Sequence, residues 1–394
     1  MRFPDRLAGV VVAAFGLLML AAAVMLRMAP VTLRGQELSF DRIVFIVSNT
    51  ASLTGFQGNY TDPADLQPLG QACIGVLMLG GTLMSFVVGG WALVRILGMP
   101  FSDEQVLRAS LWTCAVAILG GATALMQPGL GLWPAVFQSA SALGNNGSIL
   151  GTPPALMDWR THVILLPLGF LGGLGIPVLL DLASGITEQR RLHRHTVAVL
   201  ISSALIYLIG LGSIALFEWL LSGDPLRIAF INGSVDALNT RSIGLPLGNL
   251  SSLSRAAQWM VMLLMAVGAA PAGSGGGLKT TTLLVFTRDA HRLMFGKPVG
   301  RIFGVACVWI AIFILLAFAM TIALLITEPQ LAADRGLFIA ISALSNCGLS
   351  HEPLNMTGAS LFVLSGTMLL GRFVPLTILW WCARNVEDTE IAVA

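Results

Sequence analysis

The sequence predicts an all-α polytopic membrane protein: eight transmembrane helices, in four repeats of helix, re-entrant half-helix and helix around one axis. Three observations predict this. The first is composition: of 394 residues, 56% are hydrophobic and 11% charged, and the mean hydropathy is +0.83, whereas a soluble domain is about 25% charged. The second is an excess of glycine, 43 residues in all, where about 7% of a chain is usual. The third is a pattern that recurs four times: a long apolar segment, a short half-apolar one, a polar tract ending in glycine, and a second long apolar segment.

Composition also excludes several classes. So few charges rule out a soluble enzyme and a disordered chain. A net charge of +2, with no basic run interleaved with aromatics, argues against nucleic-acid binding. Cys73, Cys114, Cys307, Cys347 and Cys382 form no CxxC pair, which argues against a metal site or a disulfide framework. The first apolar run follows Met1-Arg2-Phe3-Pro4-Asp5-Arg6, and no small-residue cleavage site clearly follows it. It reads as a retained first helix, with a cleaved signal as the alternative.

A spanning helix needs about 20 apolar residues. Eight segments qualify: 7–28, 70–94, 106–127, 160–184, 196–221, 255–286, 300–326 and 359–383. After each odd-numbered segment comes a shorter stretch, at 40–48, 134–143, 226–238 and 335–344. Each is too short to cross a bilayer but long enough for a half-helix of about ten residues that enters and returns. The tracts that follow can be overlaid: Ser48 to Phe56, Ser141 to Ser148, Asp236 to Leu245, and Ser342 to Leu349. The expected repeats are 1–98, 99–186, 187–287 (with a Gly-rich loop) and 288–394 (with a short C-terminal tail). A repeat of this kind governs the whole fold.

Arginine sets the expected orientation. With both termini cytoplasmic, the inner segments hold 12 basic residues and the outer side 8, and the inner connections are shorter and denser in arginine. All four half-helices then enter from outside. The outer segments carry 11 acidic residues against 8 basic, a net of −3 that mildly concentrates cations at an entrance.

Four converging polar loops suit one chemistry in particular. A dehydrated cation needs oxygen ligands in place of its water, and backbone carbonyls supply them without a fixed charge that would hold the ion. Turning carbonyls toward an axis demands dihedrals that glycine tolerates. Irregular backbone at membrane depth is allowed only where it is packed in protein or faces water. The carboxyl end of each half-helix favours a cation at the same spot. Gly55, Gly147, Gly244 and Gly348 are therefore expected to form a ring, with Thr54, Asn146, Ile243 and Cys347 before them. Taken singly, each glycine is more simply a helix cap or a close helix contact; four at equivalent positions favour a selectivity filter.

These tracts resemble the four pore loops of the Trk/Ktr/HKT superfamily of potassium transporters. The quoted residues are Leu53-Thr54-Gly55-Phe56, Asn145-Asn146-Gly147, Thr240-Arg241-Ser242-Ile243-Gly244 and Asn346-Cys347-Gly348-Leu349-Ser350. The framing stretches resemble that family's inner helices: Gly70-Gln71 with Leu79-Gly80-Gly81, Leu171 to Pro177, Gly273 to Thr281, and Gly371 to Thr377. The resemblance covers about residues 7 to 383. It implies potassium uptake across a bacterial inner membrane, a homodimer with one pore per subunit, and a cytoplasmic nucleotide-binding regulatory subunit of the RCK type. It implies K⁺ as the transported ion and no covalently bound cofactor. Serine at the first filter position goes with sodium in the family, and Gly55 stands there in this chain. The sequence departs from the family pattern at Gly144, Ser148, Asp236 and Ala272.

Two basic residues fall inside spans. Lys279 follows Gly273-Ser274-Gly275-Gly276-Gly277, a run that cannot hold a regular helix because glycine costs about 1 kcal/mol per site against alanine. The span 255–286 is therefore expected to break there. One reading is a kink that packs small residues, with Lys279 reaching the interface; the other is a gate lying beneath the filter. Arg372 lies mid-span, where an arginine is costly and marks a functional site by default. It is either a structural ion pair or, as the resemblance implies, an electrostatic barrier below the filter. Asp236 either attracts cations near the outer mouth or, the favoured reading, pairs with Arg241. His351-Glu352 reads as vestibule and Trp380-Trp381 as an interfacial belt.

Alternatives were an ion-binding subunit of an ATP-driven K⁺ pump, a K⁺/Na⁺ transporter of relaxed selectivity, and an intramembrane enzyme. The pump subunit is usually longer, with extra terminal helices. The enzyme needs a nucleophile–base pair or HExxH-type ligands within spans, and only His162 approaches one. Enzymatic activity is not expected.

Overall fold

The computed structural model describes residues 3–28, 37–58, 62–127 and 130–383. Arg2, Arg34, Arg384 and the tail after Ala383 lie outside the described residues, as does the placement of both termini. Helices dominate, and among the described residues no strand forms beyond isolated bridges.

The helices are, in order, α1 Phe3–Met28, α2 Phe40–Ala51, α3 Pro68–Ile96, α4 Asp103–Leu125, α5 Leu132–Gly144, α6 Thr161–Leu174, α7 Ile176–Thr187, α8 Arg194–Ser222, α9 Leu226–Asn239, α10 Arg255–Ala266, α11 Thr280–Met294, α12 Arg301–Thr327, α13 Ala333–Leu344 and α14 Ala359–Ala383. Their starts are legible in the chain. Pro68 opens α3 where its missing N–H costs nothing. Ser102 and Gln105 form a reciprocal capping box on α4, with Asp103 and Glu104 in the first turn. Ser254 caps α10 through Ala257 N.

Six helices among the described residues are long and apolar enough to cross a membrane: α1, α3, α4, α8, α12 and α14. A seventh is the pair α6–α7, which bends by 98°. The bend falls at Gly175, whose φ of +78° only glycine adopts freely. The sixth predicted span, 255–286, is two shorter helices, α10 and α11, separated by residues 267–279. The helix expected to break at the Gly-rich run does stop at Ala266 and resume at Thr280. By length and composition, six helices among the described residues can span a membrane, or seven with the bent pair, and the remaining predicted span is the broken pair α10 and α11.

The short helices α2, α5, α9 and α13 fall where the half-apolar stretches are, each one to three residues longer than predicted. Each packs beside the helix before it: α2 on α1, α5 on α4, α9 on α8 and α13 on α12. Small residues let three of the following helices approach very closely. A side chain at Gly172 or Gly371 would overlap a carbonyl in the last turn of the preceding short helix, Leu143 or Leu344, and one at Gly81 would lie 2.8 Å from that of Ala51. Without a hydrophobic drive inside lipid, such close backbone packing is what holds helices together. The outermost helices, α1 and α12, turn apolar side chains outward; only 17% of each apolar window is buried in protein.

Candidate functional site

The four polar loops meet at one place. Each carries a left-handed residue, then one more residue, then a left-handed glycine: Leu53 and Gly55, Asn145 and Gly147, Ser242 and Gly244, Asn346 and Gly348. The glycine φ values are +80°, +77°, +69° and +75°. Contacts between the loops run in a circle. A side chain at Gly55 would overlap the Asn146 carbonyl oxygen, and one at Gly147 would lie 2.5 Å from that of Gly244. One at Gly244 would overlap the carbonyl of Cys347, and one at Gly348 that of Thr54. Loop 1 thus abuts loop 2, loop 2 loop 3, loop 3 loop 4, and loop 4 loop 1. Side chains are excluded around this ring, because a carbonyl oxygen of the next loop lies against each glycine.

The third loop is shorter by one residue. In the other loops Thr54, Asn146 and Cys347 donate to the carbonyl five residues earlier, on Asn49, Ser141 and Ser342. In the third, Gly244 itself makes that bond, to Asn239. So in this loop the glycine itself, Gly244, supplies the carbonyl nearest its neighbour, where the other loops use the residue before the glycine. The Ile243 side chain is buried against Gly169 instead.

Asparagines hold the loops in shape. The Asn49 amide donates to Phe56 O at 2.9 Å and accepts from Phe56 N at 2.9 Å. Asn239 repeats the clamp on Leu245, at 2.6 and 2.8 Å. Asn346 Nδ2 donates to Thr54 Oγ1 at 3.0 Å and to Met368 O at 2.9 Å, joining loop 4 to loop 1 and to α14. Ser242 Oγ donates to Ser345 O at 3.2 Å, joining loop 3 to loop 4. Sequence reasoning passed over these residues as generic polar tract. The signal that could have found Asn49 and Asn239 is an asparagine recurring at the end of a short helix.

On one side of the ring a cavity of about 560 Å³ is lined by Gln57, Gly244, Gly348, His351 and Glu352 among others. His351 packs against Phe338 at a tilt of 53°, with centroids 4.2 Å apart, and its Nε2 meets Gln258 Oε1 at 3.1 Å. Burial and the nearby Arg335 push this imidazole down to about 4. His162 is engaged with Leu156 O.

On the other side the Gly-rich loop lies across the ring. Its neck is closed by Gly268 N to Leu278 O at 2.9 Å and Leu278 N to Ala266 O at 3.0 Å. Ser274 N donates to Gly172 O at 2.9 Å, Ala270 N to Gly173 O at 3.0 Å, and Ser274 Oγ to Leu143 O at 3.1 Å. A side chain at Gly276 would overlap Ser345 O, one at Gly275 would lie 3.1 Å from Ser242 Cβ, and one at Gly89 would lie 3.0 Å from Ala272 Cα. The loop therefore touches elements from every part of the ring. Gly273, Gly275 and Gly276 are required by the closeness of this fit.

Lys279 is buried, and its Nζ donates to Gly275 O at 2.9 Å, so it folds back on the loop instead of reaching an interface. Arg372 is buried too, with Nη2 donating to Ser85 Oγ at 2.8 Å. Ser85 opens a π-turn, Ser85–Gly89, inside α3, a distortion often found at functional positions. Both cations border one small cavity under the loop. Arg241 does not pair with Asp236 as expected. It donates to Ser203 O at 3.0 Å and to Gly268 O at 3.3 Å, because its reach is taken up by α8 and the loop neck. Among the described residues no cluster of His, Cys, Asp or Glu could hold a metal ion.

An all-α polytopic membrane fold, with four glycine-bearing loops closing a carbonyl ring, defines this molecule. The relatives narrow the class. No protein-family model matches the chain. It is 27% identical over 281 residues to the Ktr system potassium uptake protein B of Vibrio alginolyticus, covering 64% of this chain and 60% of that protein. It is 27% identical over 267 residues to the Ktr system potassium uptake protein D of Bacillus subtilis, covering 63% and 59%. It is 26% identical over 187 residues to the potassium/sodium uptake protein NtpJ of Enterococcus hirae, covering 44% and 40%. The chain thus spans about 60% of the length of the first two curated relatives. The crystal structure of the potassium transporter TrkH from Vibrio parahaemolyticus shares its fold, with a TM-score of 0.70 over 94% of this chain and 86% of that one, at 16% identity. By sequence the chain is thus similar to Ktr potassium uptake proteins, and it shares the fold of the TrkH potassium transporter.

Proposed function

We propose that the chain is a pore subunit that takes up K⁺ across a bacterial inner membrane. The observation that carries this reading is the closed circle of glycine-to-carbonyl contacts through Gly55, Gly147, Gly244 and Gly348. A dehydrated monovalent cation would pass the axis of that ring, coordinated by carbonyls such as those of Thr54, Asn146, Gly244 and Cys347. Carbonyl dipoles replace hydration water without trapping the ion. The broad cavity on the His351 side is the entrance. The loop through Gly273, Ser274, Gly275, Gly276 and Gly277 is the gate, held shut by Gly172, Gly173 and Leu143. Arg372 sets an electrostatic barrier beneath. The four-repeat division at 98, 186 and 287, cytoplasmic termini, a homodimer and control by a cytoplasmic nucleotide-binding subunit belong to the same reading. The repeat division is supported by the four loops that each carry a left-handed residue and a left-handed glycine, and a partner subunit by relatives named as proteins of a Ktr system.

Relaxed K⁺/Na⁺ selectivity is the second reading, favoured by the similarity to a potassium/sodium uptake protein. The test is growth at low K⁺ of a bacterial strain lacking its own K⁺ uptake systems. Expression of the chain restores growth, and Gly348→Asp does not. Failure of well-expressed wild type, with or without a regulatory subunit, counts against the proposal. Rescue by added Na⁺ uptake alone favours the second reading.

A further inference from the structure

Lys279 and Arg372 border one cavity, and its lining contains no carboxylate. Each side chain is more than nine-tenths buried, at 8% and 6% exposure. Their hydrogen-bond acceptors, Gly275 O and Ser85 Oγ, are uncharged, and the Ser85 hydroxyl is itself committed to Gly81 O at 2.9 Å. Among the described residues neither cation forms an ion pair. Withdrawing one charge from water costs several kcal/mol, and two of like sign also repel. Buried charges are ordinarily paired. The cavity measures about 30 Å³, and a water needs about 10–15 Å³ of such space. That is room for a monatomic ion and too little for phosphate or a carboxylate ligand.

We propose that one halide ion, chloride in the cell, sits between Lys279 and Arg372 and ties the Gly-rich loop to α14. This rests on the reading of that loop as a gate. Lys279 closes the loop and Arg372 belongs to α14, so a shared anion fastens one to the other. Without it the two cations repel, and the loop is driven from under the ring. The anion favours the closed arrangement because only there do both cations reach it, which is the condition for a ligand to shift two states.

The test uses the full chain in proteoliposomes, with K⁺ flux measured at clamped potential in chloride, bromide or gluconate. Flux in gluconate is expected to exceed that in chloride by about fivefold or more, the low end of ordinary coupling between sites. Bromide should behave like chloride, and Lys279→Met should flux equally in all three. Crystals grown in bromide give a readout independent of flux: an anomalous peak beside Lys279 and Arg372 supports the site, and its absence overturns it. Equal wild-type flux in chloride and gluconate also overturns the anion while leaving the pore intact. Absence of flux in every anion counts against the pore reading, and the bromide peak still decides the site.

Discussion

Asn346 Nδ2 donates to Thr54 Oγ1 at 3.0 Å across 292 residues of sequence, fastening the last pore loop to the first. The same amide reaches Met368 O in α14, four residues before Arg372. One side chain therefore links the ring, its closure, and the helix that carries the buried guanidinium. Asn346→Ala removes both bonds from a buried site, and a lost buried bond costs about 1–3 kcal/mol. The expected outcome is weaker K⁺ over Na⁺ discrimination with the protein still folded. Reversal potentials in mixed K⁺ and Na⁺ gradients check it; unchanged selectivity would show that the amide only packs.

The ring glycines admit no side chain. Gly55→Ala places a methyl group on the Asn146 carbonyl and holds a left-handed residue there, which costs roughly 1–2 kcal/mol before any clash. Loss of K⁺ flux by tenfold or more is expected, by the measure that about 1.4 kcal/mol is a factor of ten. Gly366→Ala is the control, since nothing lies near that position and the helix should gain slightly. Equal flux from both variants contradicts the carbonyl ring.

The proposed gate loop is held by Ser274, through N to Gly172 O and Oγ to Leu143 O. Ser274→Ala removes the second bond and should raise basal flux several-fold, since a single bond of about 1 kcal/mol shifts a two-state equilibrium by about fivefold. Deleting Gly273–Gly277 should raise it further. A folded deletion protein with unchanged or lower flux argues that the loop is structural.

Arg372→Ala should change the transport rate or apparent ion affinity with little loss of expression. Ser85→Ala, which removes the guanidinium's acceptor, should do the same more weakly. A variant that only misfolds would assign Arg372 to structure alone.

His351 gives a pH prediction. Its folded value lies near 4, below the ordinary 6.5, because burial and Arg335 disfavour the charged ring. The folded state therefore binds fewer protons than the unfolded one in that interval. Stability from this residue is fully present above about pH 6.5 and is lost as pH falls toward 4. Thermal unfolding in detergent should show that loss in the wild type and a reduced loss in His351→Phe. K⁺ flux from pH 6.5 to 8 should be unaffected, as the ring stays neutral; a His351-dependent change there refutes the assignment.

Much of this molecule can be read from the chain because period and punctuation are local properties. The short helices and the break before Thr280 follow from segment length and a glycine run. The glycine positions follow from repetition. Other features depend on contacts between distant segments and leave no local mark. The 98° bend at Gly175 is one, since Leu171 to Pro177 reads as continuous span until Ala272 is seen packed against it. Arg241 turned toward Ser203 is another, because Asp236 is nearer in sequence but α8 is nearer in space. The one-residue shortening that makes Gly244 itself the carbonyl nearest the next loop shows only in the hydrogen bonds to Asn239.

The most direct test of the central claim is cation flux through the purified full-length chain in proteoliposomes, with K⁺, Na⁺ and Li⁺ gradients compared in the wild type and in Gly348→Ala. The account predicts K⁺ flux in the wild type that exceeds Li⁺ flux and is abolished by the methyl group set against Thr54 O. Flux of no cation from well-folded wild type with its gate loop released, or K⁺ flux that Gly348→Ala leaves unchanged, would contradict it.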